Sequence, residues 1–193
     1  MNPITRFASA ARSLGALLVQ PASAHCDTED GPAVQDGYRA LETGNPNYAL
    51  KWVFPEGEDE VRAAFDAARA GRAGAGAGAG DRHFLETLVR VHRHGEGAGY
   101  EGIKPTGTEL APEVVAADTA LDSGTVSPLR GLIAEDRWDE LEKRFNVALC
   151  KKGFDVDDLT AARDYVAAYV SYFKYAEGED EHHHHGGHDH GQH

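Results

Sequence analysis

The sequence predicts an all-α protein, a helical bundle built from an internally duplicated helical unit. Apolar residues recur at spacings of three and four positions, which is the period of one helix face. No stretch alternates apolar and polar residues with the period of two that a half-buried strand requires. A pattern of Pro, apolar and Gly residues also recurs 80 positions later, as from Pro32 to Pro112 and from Gly44 to Gly124.

The first unit, about residues 31–97, is predicted to begin with a helix at Pro32, since proline is tolerated in the first helical turn. Asp27 or Asp30 is the expected N-cap residue. Gly44 is expected to end this helix, because glycine is favoured just after a helix C-terminus.

Two further helices complete this unit. A short apolar element from Tyr48 to Phe54 precedes a helix from Asp59 to Arg69, and a second helix runs from Asp81, as its cap, to His94. Arg72 to Gly80 is Gly/Ala-rich and is predicted to be a flexible linker.

The second unit, about residues 111–178, repeats this order. Leu132-Ile133 stand where Trp52-Val53 stand in the first unit, and Phe145 stands where Phe65 stands. Because one such unit could not bury its apolar face alone, we expect the two units to pack together as one domain over residues 25–178.

Residues 1–24 are predicted to be a signal peptide. Arg6 and Arg12 precede a short apolar stretch, Leu14 to Val19, and Ala22-Ser23-Ala24 follows it as an A-x-A sequence that an export peptidase accepts. Cleavage after Ala24 predicts an exported protein, periplasmic or secreted, that begins at His25. The alternative is a disordered extension on a cytoplasmic protein.

The charge of the chain limits its partners. Nineteen basic and 32 acidic residues give a formal net charge of −13. Such a chain is not expected to bind nucleic acid or an anionic membrane surface, and it attracts cations. No stretch has the length of a membrane span. A homo-oligomer is left open.

The expected site is the pair His25-Cys26. At a processed N-terminus, the α-amine, the Cys26 thiolate and the amide nitrogen between them can lie in one plane, the arrangement that Ni(II) and Cu(II) favour over Zn(II). The imidazole could add a further ligand. Two alternatives stay open: a disulfide between Cys26 and Cys150, or an ordinary loop cysteine.

Glu86 and His92 are the preferred additional ligands from the predicted helix that ends at His94. His-x-x-Glu, here His83 and Glu86, places both side chains on one helix face. The alternatives are an exposed His83, a Glu86–Arg90 ion pair at i,i+4 and a His92 that lies in the interior.

Residues 179–193 are predicted to be a disordered tail that collects metal ions. Flexible imidazoles bind Ni, Cu, Zn or Co with exchangeable geometries. The tail holds seven of the eleven histidines of the chain: His182, His183, His184, His185, His188, His190 and His193.

Several motifs carry a resemblance to known families. His25-Cys26-Asp27-Thr28, Ala40-Leu41-Glu42-Thr43-Gly44 and the run from Glu86 to Arg93 resemble a bacterial helical domain family of unknown function, over roughly residues 25–177. His25-Cys26-Asp27 is also similar to the start of nickel superoxide dismutase, a helical bundle. That family has a second cysteine where this chain has Asp30, so the resemblance implies that Asp30 or a helix histidine replaces the thiolate.

The sequence therefore predicts an exported protein that binds a transition metal, with a His-Cys site and a collecting tail. A superoxide dismutase-like enzyme is the first alternative. A helical interaction domain without a core metal is the second.

Overall fold

The computed structural model describes residues 25–75 and 78–178, and it confirms the all-α class. Within these ranges the only pairing of extended backbone is an isolated bridge between Thr28 and Lys104. The part of the chain that the structure describes forms seven α-helices: α1 Pro32–Thr43, α2 Asn47–Leu50, α3 Glu58–Ala75, α4 Ala79–Gly95, α5 Pro112–Ser123, α6 Trp138–Lys151 and α7 Leu159–Glu177.

Helices α1 and α5 begin and end in the same way. Each has a proline in its first turn, and each ends at a glycine in the left-handed region, Gly44 with φ 77° and Gly124 with φ 70°. The amide of each glycine donates a hydrogen bond to the last helical turn, at Ala40 and Ala120 respectively. Glycine adopts this conformation without steric cost, so the predicted helix ends are confirmed.

The helices pack as two antiparallel hairpins, α3 with α4 and α6 with α7. Helix α1 lies against α4, and α5 lies against α7. Short 3₁₀ turns precede α3 and α6, at Pro55–Gly57 and Glu135–Arg137, again 80 positions apart. The order of elements thus agrees with the predicted repeat. The duplication itself stays a prediction, because equal order does not establish equal packing.

Three details of the predicted elements are wrong. The Gly/Ala-rich segment is largely helical, because α3 continues to Ala75 and α4 begins at Ala79. Asp81 lies inside α4 and binds the Arg72 guanidinium through both carboxylate oxygens, at 2.8 and 2.9 Å. Neither Asp27 nor Asp30 caps α1, whose N-cap residue is Gly31.

The buried apolar side chains form one continuous core that both units share. Arg163 at the start of α7 also joins the units. Its guanidinium donates to the carbonyl oxygens of Val53 and Leu50, at 3.0 and 3.3 Å, and to Glu58 at 2.6 Å. Residues of both predicted units therefore share one core. No helix within the described residues is long and apolar enough to cross a membrane.

Candidate metal-binding site

The segment from residue 25 to residue 31, here named the strap, folds back over the helices. Its backbone is fixed by two hydrogen bonds, from the Glu29 amide to the Lys104 carbonyl at 2.9 Å and from the Lys104 amide to the Asp27 carbonyl at 2.8 Å. Gly31 closes the turn, and a Cβ at this position would lie 2.0 Å from the His25 carbonyl oxygen. The turn therefore requires glycine and holds His25 and Cys26 inward.

The His25 imidazole is buried between α5 and α7. Its Nε2 lies 2.9 Å from an Asp118 carboxylate oxygen, and its ring stacks on Phe173 with a centroid distance of 5.8 Å and an interplanar angle of 4°. The Tyr169 hydroxyl donates to the other Asp118 oxygen at 3.3 Å and lies 3.5 Å from Nδ1 of His25. In the neutral imidazole, donation from Nε2 to Asp118 leaves the lone pair on Nδ1.

The Cys26 thiol is free and only 5% exposed. It lines a cavity of about 10 Å³ together with His25, Glu96, Tyr169, Val170, Phe173 and Lys174. Burial raises the pKa of Cys26 well above its usual value, and the charges of Glu96 and Asp27 raise it further. In the metal-free protein the group is therefore a neutral thiol.

A cluster of buried and half-buried charged and polar side chains adjoins Cys26. Glu96 is its centre, with one carboxylate oxygen 3.4 Å from the Lys174 ammonium and the other 3.9 Å from Nε2 of His92 and 3.8 Å from the Arg93 guanidinium. Arg93 also lies 3.4 Å from an Asp27 oxygen. Burial raises the pKa of Asp27 to about 6, although Arg93 opposes this rise. These five residues are named the polar cluster below.

His92 is the most buried histidine of the described residues, at 4% exposure. Its Nδ1 lies 2.8 Å from the Trp52 carbonyl oxygen, and its ring meets the Trp52 ring edge to face at 5.5 Å. Burial lowers the pKa of His92, so the neutral imidazole is favoured. The structure thus agrees with the alternative that His92 lies in the interior, and its role as a metal ligand stays a prediction.

Comparison with known protein families shows which family this chain belongs to. Residues 30–175 match a family of unknown function (DUF6448). The chain belongs to this family. The DUF6448 match begins after His25 and Cys26 and ends within α7. Neither the curated proteins nor the solved structures contain a match, and the resemblance to nickel superoxide dismutase stays a prediction.

The structure does not bring all the predicted ligands together. Asp30 is exposed, and its carboxylate accepts from the Gly107 amide at 3.3 Å. Glu86 is bonded to Arg82 at 2.7 Å and lines a separate surface groove with His83. Arg90, the partner expected for Glu86, instead bonds to Glu60. Glu86 and Asp30 are thus placed away from the contacts of Cys26 described above.

Across residues 25–75 and 78–178, no group of three or more His, Cys, Asp or Glu side chains is arranged to hold a metal ion. The predicted signal peptide (1–24) and the ligands His182 to His193 lie outside the described residues. Cys150 is an exposed free thiol, so the alternative disulfide with the buried Cys26 is not formed.

Two acidic residues of this site escaped the sequence analysis. Asp118 lies on the apolar face of α5, four residues after Val114 and three before Leu121. An acid within such an apolar stripe is a signal that could have found it. Glu96 follows His92 by one helical turn, but it lies at the end of the predicted helix, next to a glycine-rich loop.

Proposed function

We propose that this protein binds a transition-metal ion through His25 and Cys26, with Ni(II) or Cu(II) preferred over Zn(II), and that its His-rich tail collects such ions. One observation carries the proposal. The His25 imidazole is fixed by Asp118, and the Cys26 thiol lines the same small cavity.

The hydrogen bond to Asp118 supports a ligand role for His25. A histidine that binds a metal commonly donates its other ring N–H to a carboxylate, which fixes the tautomer and orients the ring. Here the carboxylate holds Nε2, so the neutral ring offers Nδ1. Nδ1 and the α-nitrogen belong to the same residue, so both can bind one ion. The other proposed ligands are the Cys26 thiolate and the amide nitrogen before it, so this site does not require a group of three acidic, His or Cys side chains.

The charges around Cys26 also support a cation. Glu96, Asp27 and Asp118 each oppose ionisation of the thiol, and only Arg93 favours it. A divalent ion beside the sulfur would reverse this balance and allow the thiolate to form. The proposal includes export and cleavage after Ala24, because a free amine at His25 is one of the ligands.

The test uses a chain that begins at His25, with the seven tail histidines replaced by serine. Cu(II) and Ni(II) are titrated while thiolate-to-metal charge transfer is followed. We expect one equivalent to bind. The band is lost in Cys26→Ser and kept in Cys150→Ser, which removes the exposed thiol. Asp118→Asn should weaken binding about 10- to 100-fold.

A chain that begins at Ala24 is the control for the amine, and its planar complex should be weaker. Binding that survives Cys26→Ser would contradict the proposed site and leave metal binding to other groups. If metal binding at His25-Cys26 is confirmed, superoxide dismutation is the first activity to assay. If the chain without tail histidines binds no metal, the remaining proposal is a helical interaction domain whose metal binding is confined to the tail.

A further inference from the structure

The polar cluster contains four buried atoms without a hydrogen-bond partner. They are Asp27 Oδ1, His92 Nε2, Arg93 Nη1 and Glu96 Oε2. Buried polar atoms in folded proteins nearly always have a partner, and a group of exceptions points to a bound water or ion. Two of the four, His92 Nε2 and Glu96 Oε2, lie 3.9 Å apart, so one ligand between them is a simpler account than two separate defects.

The tautomer of His92 determines what this site can bind. The Trp52 carbonyl can only accept, so His92 Nδ1, at 2.8 Å, carries the proton and donates it. The neutral ring then presents a lone pair at Nε2. Glu96 Oε2, at 3.9 Å, is an acceptor as well. Two buried acceptors that face each other require a donor or a cation between them.

A groove of about 130 Å³ gives access to these two atoms. His92 and Glu96 line it together with apolar side chains that include Trp52, Phe54 and Val170. Lys51 and Arg163 also line the groove, and each is paired with a carboxylate, Asp36 and Glu58 respectively. Phe54 is 60% exposed, so this wall of the groove reaches the surface. Glu96 and Val170 also line the cavity beside Cys26, so Glu96 lies between the groove and the thiol.

We propose that His92 Nε2 and Glu96 Oε2 bind a divalent transition-metal ion of the Zn(II) class from this groove. Zinc lies roughly 2.0–2.2 Å from imidazole nitrogen and carboxylate oxygen. An ion at these distances from both atoms fits in the 3.9 Å between them, and the angle between the two ligand atoms at the ion is then wide but not linear. The Trp52 carbonyl on Nδ1 is the outer-shell partner that such a histidine needs.

The pair supplies two protein ligands, and water from the groove completes the coordination. Lys174 and Arg93 lie close to Glu96 and lower its affinity for a cation. We therefore expect an exchangeable ion rather than a permanent centre. This binding needs neither a free amine at His25 nor the Cys26 thiolate, so it goes beyond the proposed function and stands separately from it.

The experiment uses the full chain with Cys26→Ser and the seven tail histidines changed to serine. Zn(II) is added while the ring nitrogens of His92 are followed by ¹⁵N NMR. We expect one equivalent to shift Nε2 and leave Nδ1 protonated. Glu96→Gln should weaken this binding at least tenfold. Glu86→Gln, on the exposed face of the same helix, is the matched control and should not change it.

Lys174→Gln should act in the opposite direction and tighten binding several-fold, because it removes a cation beside Glu96. A merely structural role of Glu96 would not produce this pair of opposite effects. His92→Asn keeps a donor for the Trp52 carbonyl but loses Nε2, so it should fold and not bind. Thermal unfolding of each metal-free variant verifies the fold.

A His92 spectrum that Zn(II) leaves unchanged, or a shift that persists at equal affinity in Glu96→Gln, overturns the inference. Neither result touches the His25-Cys26 proposal, which is judged by charge transfer in the chain that retains Cys26. Conversely, loss of charge transfer there leaves the NMR result valid.

Discussion

Helices α4 and α7 hold corresponding places in the two hairpins, yet they bury different chemistry. Towards the candidate site, α4 presents His92 and Arg93, whereas α7 presents Tyr169, Tyr172 and Phe173. For this last helix the predicted repeat is one residue longer, 81 positions, so that Tyr165 stands where Phe84 stands and Phe173 stands where His92 stands. The second helix of one hairpin thus provides a polar wall and that of the other an aromatic wall, and the strap lies between them. The comparison shows that the fold itself does not dictate the chemistry at this position.

The largest test of this comparison removes one aromatic ring from each hairpin. Phe84 on α4 is fully buried and meets Phe65 at 5.5 Å, whereas its counterpart Tyr165 is half-buried. We expect Phe84→Ala to lower the free energy of unfolding by about 3–5 kcal/mol. Tyr165→Ala should cost about 1–2 kcal/mol, since most single substitutions fall in that lower range. Urea unfolding measures both, and equal costs would show that the two hairpins are equally packed.

The second test concerns the polar wall and pH. The pKa of Asp27 is raised from 3.8 to about 6, so the folded state binds this proton more tightly than the unfolded state. The contribution of Asp27 to stability is therefore complete below pH 3.8 and is lost as the pH rises through 6. It amounts to roughly 2–3 kcal/mol. Asp27→Asn should remove this decrease in the free energy of unfolding with rising pH.

The measurement is urea unfolding of the metal-free chain between pH 4 and pH 7.5, as a difference between wild type and Asp27→Asn. Asp30→Asn is the control of opposite sign. The pKa of Asp30 is lowered, first by its bond with Thr28, so its contribution is lost as the pH falls. If the difference in the free energy of unfolding between wild type and Asp27→Asn does not change with pH, Asp27 is solvated and the expected pKa shift is absent.

A third test compares the close approach of α1 to α4 with that of α5 to α7. A Cβ on Gly37 would lie 2.5 Å from a methyl group of Leu85 and 3.0 Å from one of Leu88. Ala117, 80 positions later, already carries a Cβ and is fully buried. Gly37→Ala should therefore destabilise the protein by about 1–3 kcal/mol through overpacking.

The matched change is Ala117→Gly, which should cost about 1 kcal/mol through lost helix propensity. Thermal unfolding with a calorimeter compares the two. A stabilised Gly37→Ala variant would mean that Leu85 and Leu88 move aside, and the difference between the two helix pairs would disappear.

The smallest test concerns Trp52, which joins the two walls. Its ring contacts His92 and Tyr169, and its Nε1 donates to Asp36 at 2.8 Å. Trp52→Phe should cost about 1 kcal/mol, since Asp36 keeps its ion pair with Lys51 at 2.8 Å. Leu132→Ala, at the corresponding but 40% exposed position, should cost less. If chemical unfolding shows that Leu132→Ala costs more stability than Trp52→Phe, the expected difference between the two positions is contradicted.

The sequence predicted the fold well where local rules act. Proline at Pro32 and Pro112 and glycine at Gly44 and Gly124 mark helix ends through backbone preferences alone. The Gly/Ala-rich segment misled the prediction, because glycine lowers helix propensity but packing of α3 against α4 restores the helix. Asp81 was misplaced as a cap because its bond with Arg72 is a tertiary contact, which no local rule contains.

The candidate site was predictable only in part. His25, Cys26 and the buried His92 follow from residue type and spacing. Asp118 and Glu96 do not, since the strap brings His25 to α5 and Cys26 to the end of α4 across long separations in sequence. Glu86 had the expected residue type but faces a different groove, because six residues, about 1.7 helical turns, separate it from His92 and place it on another side of α4.

The bridge between Thr28 and Lys104 has a consequence for the order of folding. The strap can dock only on surfaces that α4, α5 and α7 have already formed, and closing contacts of such long range is slow. We therefore expect the helices to form first and the strap to close last. In pulse-labelling hydrogen exchange, the amides of Glu29 and Lys104 should gain protection after those of α4. The chain would then pass through a helical intermediate in which Cys26 is still accessible, a short interval in which oxidation or metal capture competes with burial.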